Sequence, residues 1–495
     1  MKKFVIGVWA LVLVQGLGAQ EVLSLDVCRK KALDSNKRIQ VAQENVRAAR
    51  ALKKAAFAQF LPSISATGTY LWNEKNVSLL QEDAYLPVYA TKADGSLDFA
   101  GSVNNVWVPV GEGYVPVDAS GKPFDPTKNP EKIQWKNYAL LPKESMEFDA
   151  EHVFAGTIGF TQPIYMGGKI RALYRMAQSG EALAEAQREQ ETTELLLEVD
   201  EAYWRVVSLE NKWKLADQFR QLMERMQSDV DLLMEAGLAT KSDGLKVRVK
   251  RNEVDVLVSK AENGLSLSRM ALNQLCGMPL DTVYVLEDAL LQELPGDPEL
   301  IPMEDALSNR PEMKALAQVE ALAQANRKLM QSRMLPTIGL TGNYLLSNPN
   351  VYNGYSNTFG GMFNVGVVAH VPLFHFGDRI HTLRAAESKC RVAALEREEV
   401  GEKIQLQINQ RIYQMVESRK KLLAAQKHVE QAEENVLCAA EGFREGVIRL
   451  TDYIGAQTAW LSAKSEDIDA RIDLCLNQLY VMKSQGINPV NTVVK

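Results

Sequence analysis

Long apolar segments are scarce in this chain of 495 residues. Beyond the N-terminal region it has no run of ~18 or more apolar residues, so it offers no candidate transmembrane helix. Any part of the chain that crosses a membrane would therefore have to consist of β-strands. The composition, with 46% hydrophobic and 24% charged residues, is that of a folded protein rather than a disordered one.

Cysteine is also rare, and its pattern argues against a C-x-x-C motif and against a disulfide framework. There are five cysteines and no C-x-x-C pair, and an odd number cannot pair completely within one chain. Their helical surroundings favour buried small hydrophobic residues over a disulfide framework. The five are Cys28, Cys276, Cys390, Cys438 and Cys475.

Motifs of catalysis are missing as well. The chain has no G-x-S-x-G, no H-E-x-x-H, no phosphate-binding loop and no dinucleotide-binding glycine pattern, so we expect neither an enzyme nor a cofactor. The segment HFGDRIH brings His375, Asp378 and His381 close in sequence. This histidine spacing does not place both rings on one helix face, and we expect a solvated turn rather than a metal site.

The first 20 residues predict a secretory signal peptide. Two lysines precede an apolar run from Phe4 to Val14, and small residues lead to cleavage after Ala19 or Gln20. No cysteine follows directly, which disfavours a lipoprotein. Without the two lysines, 56 − 2 = 54 basic residues face 62 acidic ones, a net charge of about −8. An acidic exported chain is a poor candidate for binding nucleic acid.

The second half of the chain repeats the first. The segment FLPSIS, with Pro62, returns 274 residues later as MLPTIG, with Pro336. The segment around Pro163 returns around Pro372 after 209 residues, and this offset then holds for more than a hundred residues. The difference, 274 − 209 = 65, is an insertion in the first half. Its richness in Gly, Pro, Asn and Asp predicts a long surface loop at about 73–151.

Each repeat contains a very long stretch without proline. About Lys169–Glu235 and Asp378–Glu445 are rich in helix-forming residues and predict rods of roughly 100 Å. Such rods cannot bury themselves in a compact core, so they must pack along one another or along copies of the chain. Shorter helices are predicted before and after them, at about 25–59, 245–275, 303–333 and 454–483.

Four segments alternate with period two, as membrane strands or half-buried soluble strands do. In SISATGTYLW, Ile64, Tyr70 and Trp72 fall on one face, and serine and threonine fall on the other. Four strands cannot close a barrel, so a membrane barrel requires several copies, and three copies give about twelve strands and a passage. The predicted strands are about 61–73, 152–164, 335–347 and 361–373.

The doubled order of LP[ST]I, P[IL]xxxG, a proline-free rod and a GxxxxxD turn resembles the TolC family of outer-membrane efflux proteins over essentially the whole mature chain. The resemblance implies a mainly α-helical fold with membrane β-strands, internally duplicated, with long coiled-coil hairpins and four strands per chain. It implies a homotrimer that forms a β-barrel of twelve strands in the outer membrane and an α-helical barrel in the periplasm. It also implies the passive channel of a tripartite efflux or type I secretion system for small molecules. The implied partners are a periplasmic adaptor protein, an inner-membrane pump of RND or ABC type, and outer-membrane lipid.

By position, the resemblance places a periplasmic gate at two turns, EAGLATKSDGL (235–245) and EGVIRLTDYI (445–454). Ile448 stands where the family has an arginine, with Arg449 one place on. The aspartates in the turns are equally well placed to cap the returning helices, and the sequence leaves both roles open. The implied gate and pore-lining residues are Ser242, Asp243, Arg449, Thr451 and Asp452.

Glycines and prolines mark the predicted turns. Gly237 and Gly446 are predicted to end the rods in a left-handed conformation. The turn residues predicted at strand ends and rod starts are Gly168, Gly377, Pro62, Pro163, Pro336 and Pro372. The predicted division is a signal peptide (1–20), a first repeat (21–280), a linker in the equatorial region (281–300), a second repeat (301–487) and a tail (488–495).

A rival interpretation is a periplasmic coiled-coil scaffold or adaptor without a pore, whose strands form soluble hairpins. Release from cells without detergent would favour this rival over a membrane channel.

Overall fold

A computed structural model describes residues 22–288 and 296–487. The predicted signal peptide, the predicted tail and residues 289–295 of the predicted linker lie outside the described residues.

Helices dominate the chain, and strands form a smaller part, as the sequence predicts. The described helices are α1 (Leu25–Ser35), α2 (Lys37–Ala58), α3 (Phe99–Ser102), α4 (Lys169–Glu235), α5 (Lys241–Leu275), α6 (Met303–Asn309), α7 (Pro311–Ser332), α8 (Asp378–Arg444) and α9 (Leu450–Ser484). The described strands are β1 (Val22–Leu23), β2 (Ser63–Trp72), β3 (Val77–Ser78), β4 (Ala84–Pro87), β5 (Ala90–Thr91), β6 (Leu97–Asp98), β7 (Trp107–Val110), β8 (Gly113–Pro116), β9 (Tyr138–Leu141), β10 (Glu147–Phe148), β11 (His152–Tyr165), β12 (Val285–Leu286), β13 (Thr337–Asn348) and β14 (Gly360–His370).

Equivalent helices of the two halves have equal lengths. The rods α4 and α8 contain 67 residues each, and the returning helices α5 and α9 contain 35 each. The helices α2 and α7 contain 22 residues each. The two offsets seen in the sequence therefore reflect helices of fixed length.

The chain forms two compact units, which do not coincide with the two sequence repeats. Of the described residues, the helical unit contains 22–59, 167–288, 296–335 and 372–487, whereas the strand unit contains 60–166 and 336–371. Each unit thus combines segments from both halves of the chain.

The helical unit is built around α4. Toward the C-terminal ends of the rods α4 and α8, α4 packs on α5 and α9, and α9 packs in turn on α8. The order is therefore α5, α4, α9, α8, with α5 and α8 at the edges. At the opposite end of the rods, α4 packs on α2 and α7, and α7 packs on α8.

A buried ion pair fastens α1 to α4. Arg29 donates from Nε to Asp200 Oδ1 at 2.7 Å and from Nη2 to Oδ2 at 2.8 Å. The two residues are only 5% and 1% exposed. This bidentate geometry satisfies both charged groups in an apolar core formed mainly by α1, α4, α5 and α9.

The strand unit contains an antiparallel sheet in the order β14, β13, β11, β2. Its strands lie within three residues of the predicted bounds at each end. Every residue of β2 is exposed, as are nearly all residues of β14. Both edges of this sheet therefore lack a partner strand within the described chain.

Four helix predictions differ from the structure. The predicted helix 25–59 is broken at Asn36, which is extended and accepts a hydrogen bond from the Arg38 N–H at 2.9 Å. The predicted helix 303–333 is broken at Arg310, because a residue before proline avoids the helical conformation. Both returning helices begin four residues earlier than predicted, at Lys241 and Leu450.

The cysteine prediction is correct only in part. Cys28, Cys276 and Cys475 are buried, but Cys390 is half-buried and Cys438 is exposed. Cys438 lies on the edge helix α8, where most side chains face outward. Within residues 22–288 and 296–487, no helix is both long and apolar enough to cross a membrane.

Candidate functional site at the hairpin tips

The predicted gate residues lie at two equivalent helical hairpin tips. Five residues separate α4 from α5, and five separate α8 from α9. Gly237 and Gly446 have φ angles of +77° and +79°. The next N–H in each turn, of Leu238 and Val447, donates at 2.8 Å to the carbonyl five residues earlier. This pattern ends a helix through a left-handed residue, which glycine adopts without steric cost.

An apolar cluster beneath the tips joins the two hairpins. Met226 and Val230 of α4, Val247 of α5 and Leu450 of α9 are buried in it. The rings of Phe443 and Tyr453 stack beside the second tip at 5.5 Å. The two tips are therefore held together by packing.

The first tip is closed by a capping box. The Asp243 N–H donates to Thr240 Oγ1 at 3.3 Å, and the Asp243 carboxylate accepts from the Thr240 N–H at 3.2 Å and from its hydroxyl at 2.6 Å. Lys246 Nζ donates to the same carboxylate at 3.1 Å. Hydrogen bonds from Thr240, together with the Lys246 charge, lower the pKa of Asp243. Asp243 is thus a helix cap whose carboxylate is already engaged.

The second tip has no such box. Arg449 occupies the position of Thr240, and its side chain does not cap α9. Asp452 is exposed, and its carboxylate accepts a hydrogen bond from the Thr451 hydroxyl at 3.4 Å. Within the described chain, Arg449 and Asp452 form no ion pair within 4.0 Å.

Two depressions bring most of the predicted residues together. Asp243, Arg449 and Thr451 line a cavity of about 570 Å³ between the tips. Ser242 and Thr451 line a neighbouring groove of about 410 Å³ between the starts of α5 and α9. Asp452 lines neither. Ser242, Asp243, Thr451 and Asp452 lie in the first turns of α5 and α9, rather than in the connecting loops.

Sequence reasoning missed three residues of the site. Lys246 is the cation beside Asp243, and the i, i+3 spacing could have shown it. Thr240 completes a T-x-x-D signature that is readable in the sequence. The third residue is Gly442, whose carbonyl accepts hydrogen bonds from the Val447 and Ile448 N–H groups. A Cβ added at Gly442 would lie 2.7 Å from the Ile448 side chain. No local pattern marks that close approach.

The remaining predicted turn residues lie at the starts of the rods and in or beside the strands. Gly168 and Gly377 directly precede α4 and α8, with φ angles of +84° and +87°. Pro163 lies in β11 where the register with β13 shifts. Pro62, Pro336 and Pro372 flank strands β2, β13 and β14. His375 forms a hydrogen bond through Nε2 to the Arg379 guanidinium at 2.7 Å.

Comparison with known proteins adds independent information. A family model described as outer membrane efflux protein matches residues 143–278 and 303–485. The crystal structure of CusC superimposes on this chain with a TM-score of 0.70 and a sequence identity of 14%, over 94% of this chain and 92% of that chain. VceC from Vibrio cholerae is 15% identical, with a TM-score of 0.68, over 94% of this chain and 96% of that chain. The Campylobacter jejuni CmeC outer membrane channel is 16% identical, with a TM-score of 0.67, over 93% of this chain and 85% of that chain. No curated protein gives a significant match.

Proposed function

Because this chain belongs to the outer membrane efflux protein family, we propose that it is the passive outer-membrane conduit through which a tripartite system exports small molecules. Members of this family are outer-membrane channels that extend into the periplasm, and they are transport proteins rather than enzymes. The resemblance seen in the sequence is thereby confirmed, and the rival of a soluble periplasmic scaffold is not retained.

The observation that carries the proposal is a pair of apolar stripes on the two edge helices of the helical unit. On α5 the stripe consists of Leu245, Val249, Val256, Leu267 and Met270, each at least 42% exposed. On α8 it consists of Val392, Leu395, Leu406, Tyr413, Val416, Leu423 and Leu437, each at least 45% exposed. Spacings of three, four, seven, eleven and fourteen keep each stripe on one face of a helix that supercoils with its neighbours.

Stripes on opposite edges fit copies of the same chain. If α5 of one copy packs against α8 of the next, both stripes are buried and the arrangement closes into a ring. The sheet edges β2 and β14 can pair in the same way, and three copies of four strands give about twelve strands around a passage. A homotrimer therefore leaves no edge open in either unit.

Within this trimer, we assign the narrow periplasmic end to the hairpin tips. Three copies of the exposed Asp452 near the axis form an acidic ring that attracts cations. Asp243 is less suited to this role because Thr240 and Lys246 already engage its carboxylate. An adaptor and an inner-membrane pump complete the system, and the pump supplies the energy.

Single-channel conductance of the reconstituted protein tests the proposal, with divalent cations added on the tip side. We expect Asp452→Ala to weaken cation block. The matched control is Asp243→Asn, which removes the charge but keeps an oxygen that accepts from Thr240, and it should leave cation block nearly unchanged. If Asp452→Ala leaves block unchanged, the acidic ring is rejected while the conduit stands. If the wild-type protein gives no channels, the conduit itself is rejected.

A further inference from the structure

The insertion between β2 and β11, residues 73–151, has no part in the function proposed above. We call this segment the arm. It contains 7 lysines and 13 acidic residues, so its net charge is 7 − 13 = −6. It is not an irregular loop, because it contains strands β3 to β10 and the short helix α3.

The arm continues the β2–β11 hairpin beyond the sheet. Trp72 pairs with His152, Val77 with Phe148, and Ala84 with Leu141, so the antiparallel register persists with little change. From Trp72 to Pro87, a strand rise of ~3.3 Å per residue allows an extension of roughly 50 Å. The neighbouring hairpin stops much earlier, since β13 ends at Asn348 and β14 starts at Gly360.

The base of the arm is tied to the β13–β14 loop. Asn357 Nδ2 donates to Asp149 Oδ2 at 2.8 Å, and the rings of Phe148 and Tyr355 meet at 4.6 Å. The Tyr355 hydroxyl also donates to the Asp149 carbonyl. These contacts fix the direction in which the arm leaves the sheet.

The far end of the arm, residues 90–136, is a folded head. Trp135 contacts Phe99 and the ring of the adjoining Tyr89, at centroid distances of 5.8 and 4.9 Å. Asn105, which is 6% exposed, donates to the Val117 and Lys132 carbonyls and accepts from the Gln134 N–H at 2.7 Å. The head therefore has its own small core and polar network.

Between base and head lies a ribbon, residues 84–89 (AYLPVY) and 137–142 (NYALLP), that contains no charged side chain. Tyr85 pairs with Leu140, and Pro87 pairs with Tyr138, so these four side chains share one face. Tyr85, Tyr138 and Leu140 are 67%, 52% and 52% exposed. Leu86, on the other face, is 49% exposed.

An exposed apolar ribbon of two strands needs a partner. A lone two-stranded hairpin is marginal in water, and contiguous apolar surface of this kind marks an interaction site. The ribbon lies farther along the hairpin that begins with β2 and β11, and β2 is the edge at which the next copy joins in the proposed trimer. Three arms therefore leave the same end of the barrel, one for every four strands. Because the charges of the arm lie outside the ribbon, contact between copies brings uncharged surfaces together and keeps the acidic groups in water.

We propose that the ribbons of three copies pack against one another and form a cap over the outer opening of the conduit. This inference rests on the proposed trimer. The occupant of each ribbon is the ribbon of a neighbouring copy, and the cap limits the entry of external solutes.

Cysteine cross-linking in the full-length protein tests the cap. Leu140→Cys is combined with Cys438→Ser, which removes the exposed native thiol, and is treated with a flexible bismaleimide. We expect covalent multimers from Leu140→Cys, and from Tyr138→Cys as a second ribbon position. Leu97→Cys is the matched control, since Leu97 is 66% exposed but lies in the head. We expect no covalent multimers from it.

The outcomes separate this inference from the function on which it rests. A native mass measurement on the same samples reports the trimer. Trimers without ribbon cross-links, or with equal cross-linking at Leu97, overturn the cap alone, whereas monomers overturn the trimer and the cap together. A second readout is conductance: Tyr85→Ser with Leu140→Ser should raise it relative to Leu97→Ser, and equal values contradict a cap.

Discussion

Asp243 and Asp452 occupy the same position in two hairpin tips, 209 residues apart, yet only Asp243 is bound by its own cap. The difference comes from one exchange, since Thr240 at the first tip corresponds to Arg449 at the second. A threonine hydroxyl can complete a capping box, whereas an arginine cannot accept a hydrogen bond from the helix N–H groups. One aspartate of the pair therefore caps a helix, whereas the carboxylate of the other is exposed and takes no part in a cap.

The first prediction concerns pH. The pKa of Asp243 is lowered by its hydrogen bonds from Thr240 and by Lys246, so the ionised form stabilises the folded tip. This contribution is complete above the unfolded pKa of about 3.9 and is lost as the pH falls through the lower folded value. We expect amide hydrogen exchange in the first turn of α5, corrected for its intrinsic pH dependence, to accelerate below about pH 4.

The control for this prediction is Thr240→Ala. It removes one side of the box and should cost about 1 kcal/mol of local stability at neutral pH, leaving exchange at the first turn fast and less sensitive to pH. Equal pH profiles for the variant and the wild-type protein would show that the box does not set the stability of this tip.

The second prediction concerns the apolar stripe on α8. Leu423→Glu places a charge on a surface that is buried between copies in the proposed trimer, where an unpaired charge is costly. We expect loss of the trimer, measured by native mass spectrometry in detergent, with helix content unchanged by circular dichroism. Leu423 is 57% exposed in the single chain, so its substitution should not disturb the protomer.

The matched control is Gln414→Glu, which adds the same charge at an exposed position of α8 outside the stripe. It should leave the trimer intact. If both variants remain trimeric, α8 does not contact a neighbouring copy through this stripe.

The positions and lengths of the long helices were predictable from the sequence, whereas contacts between individual side chains were not. The rods α4 and α8 could be placed because proline is missing over their whole length and one offset relates them. The break at Arg310 was readable from Pro311, but the break at Asn36 depends partly on its donation to the Leu275 carbonyl, a tertiary contact. The fold of the arm depends on contacts such as Asn105 to Lys132, which no periodicity indicates.

The third prediction compares the effects of the same substitution, glycine to alanine, at two positions. Gly446 has φ of +79° and open space around an added Cβ, so Gly446→Ala adds backbone strain without a clash. A left-handed alanine costs roughly 1–2 kcal/mol, and the second tip should open more often. Gly180 also has open space but lies inside α4, so Gly180→Ala should instead stabilise the helix by about 0.5–1 kcal/mol.

Hydrogen exchange at the two sites distinguishes these effects. Exchange near Gly446 should rise in Gly446→Ala, exchange near Gly180 should fall in Gly180→Ala, and neither substitution should affect the other site. Gly237→Ala should reproduce the first result at the first tip, because its φ is +77°. If Gly446→Ala and Gly180→Ala shift local exchange in the same direction, the left-handed turn is not what reverses the chain at the tips.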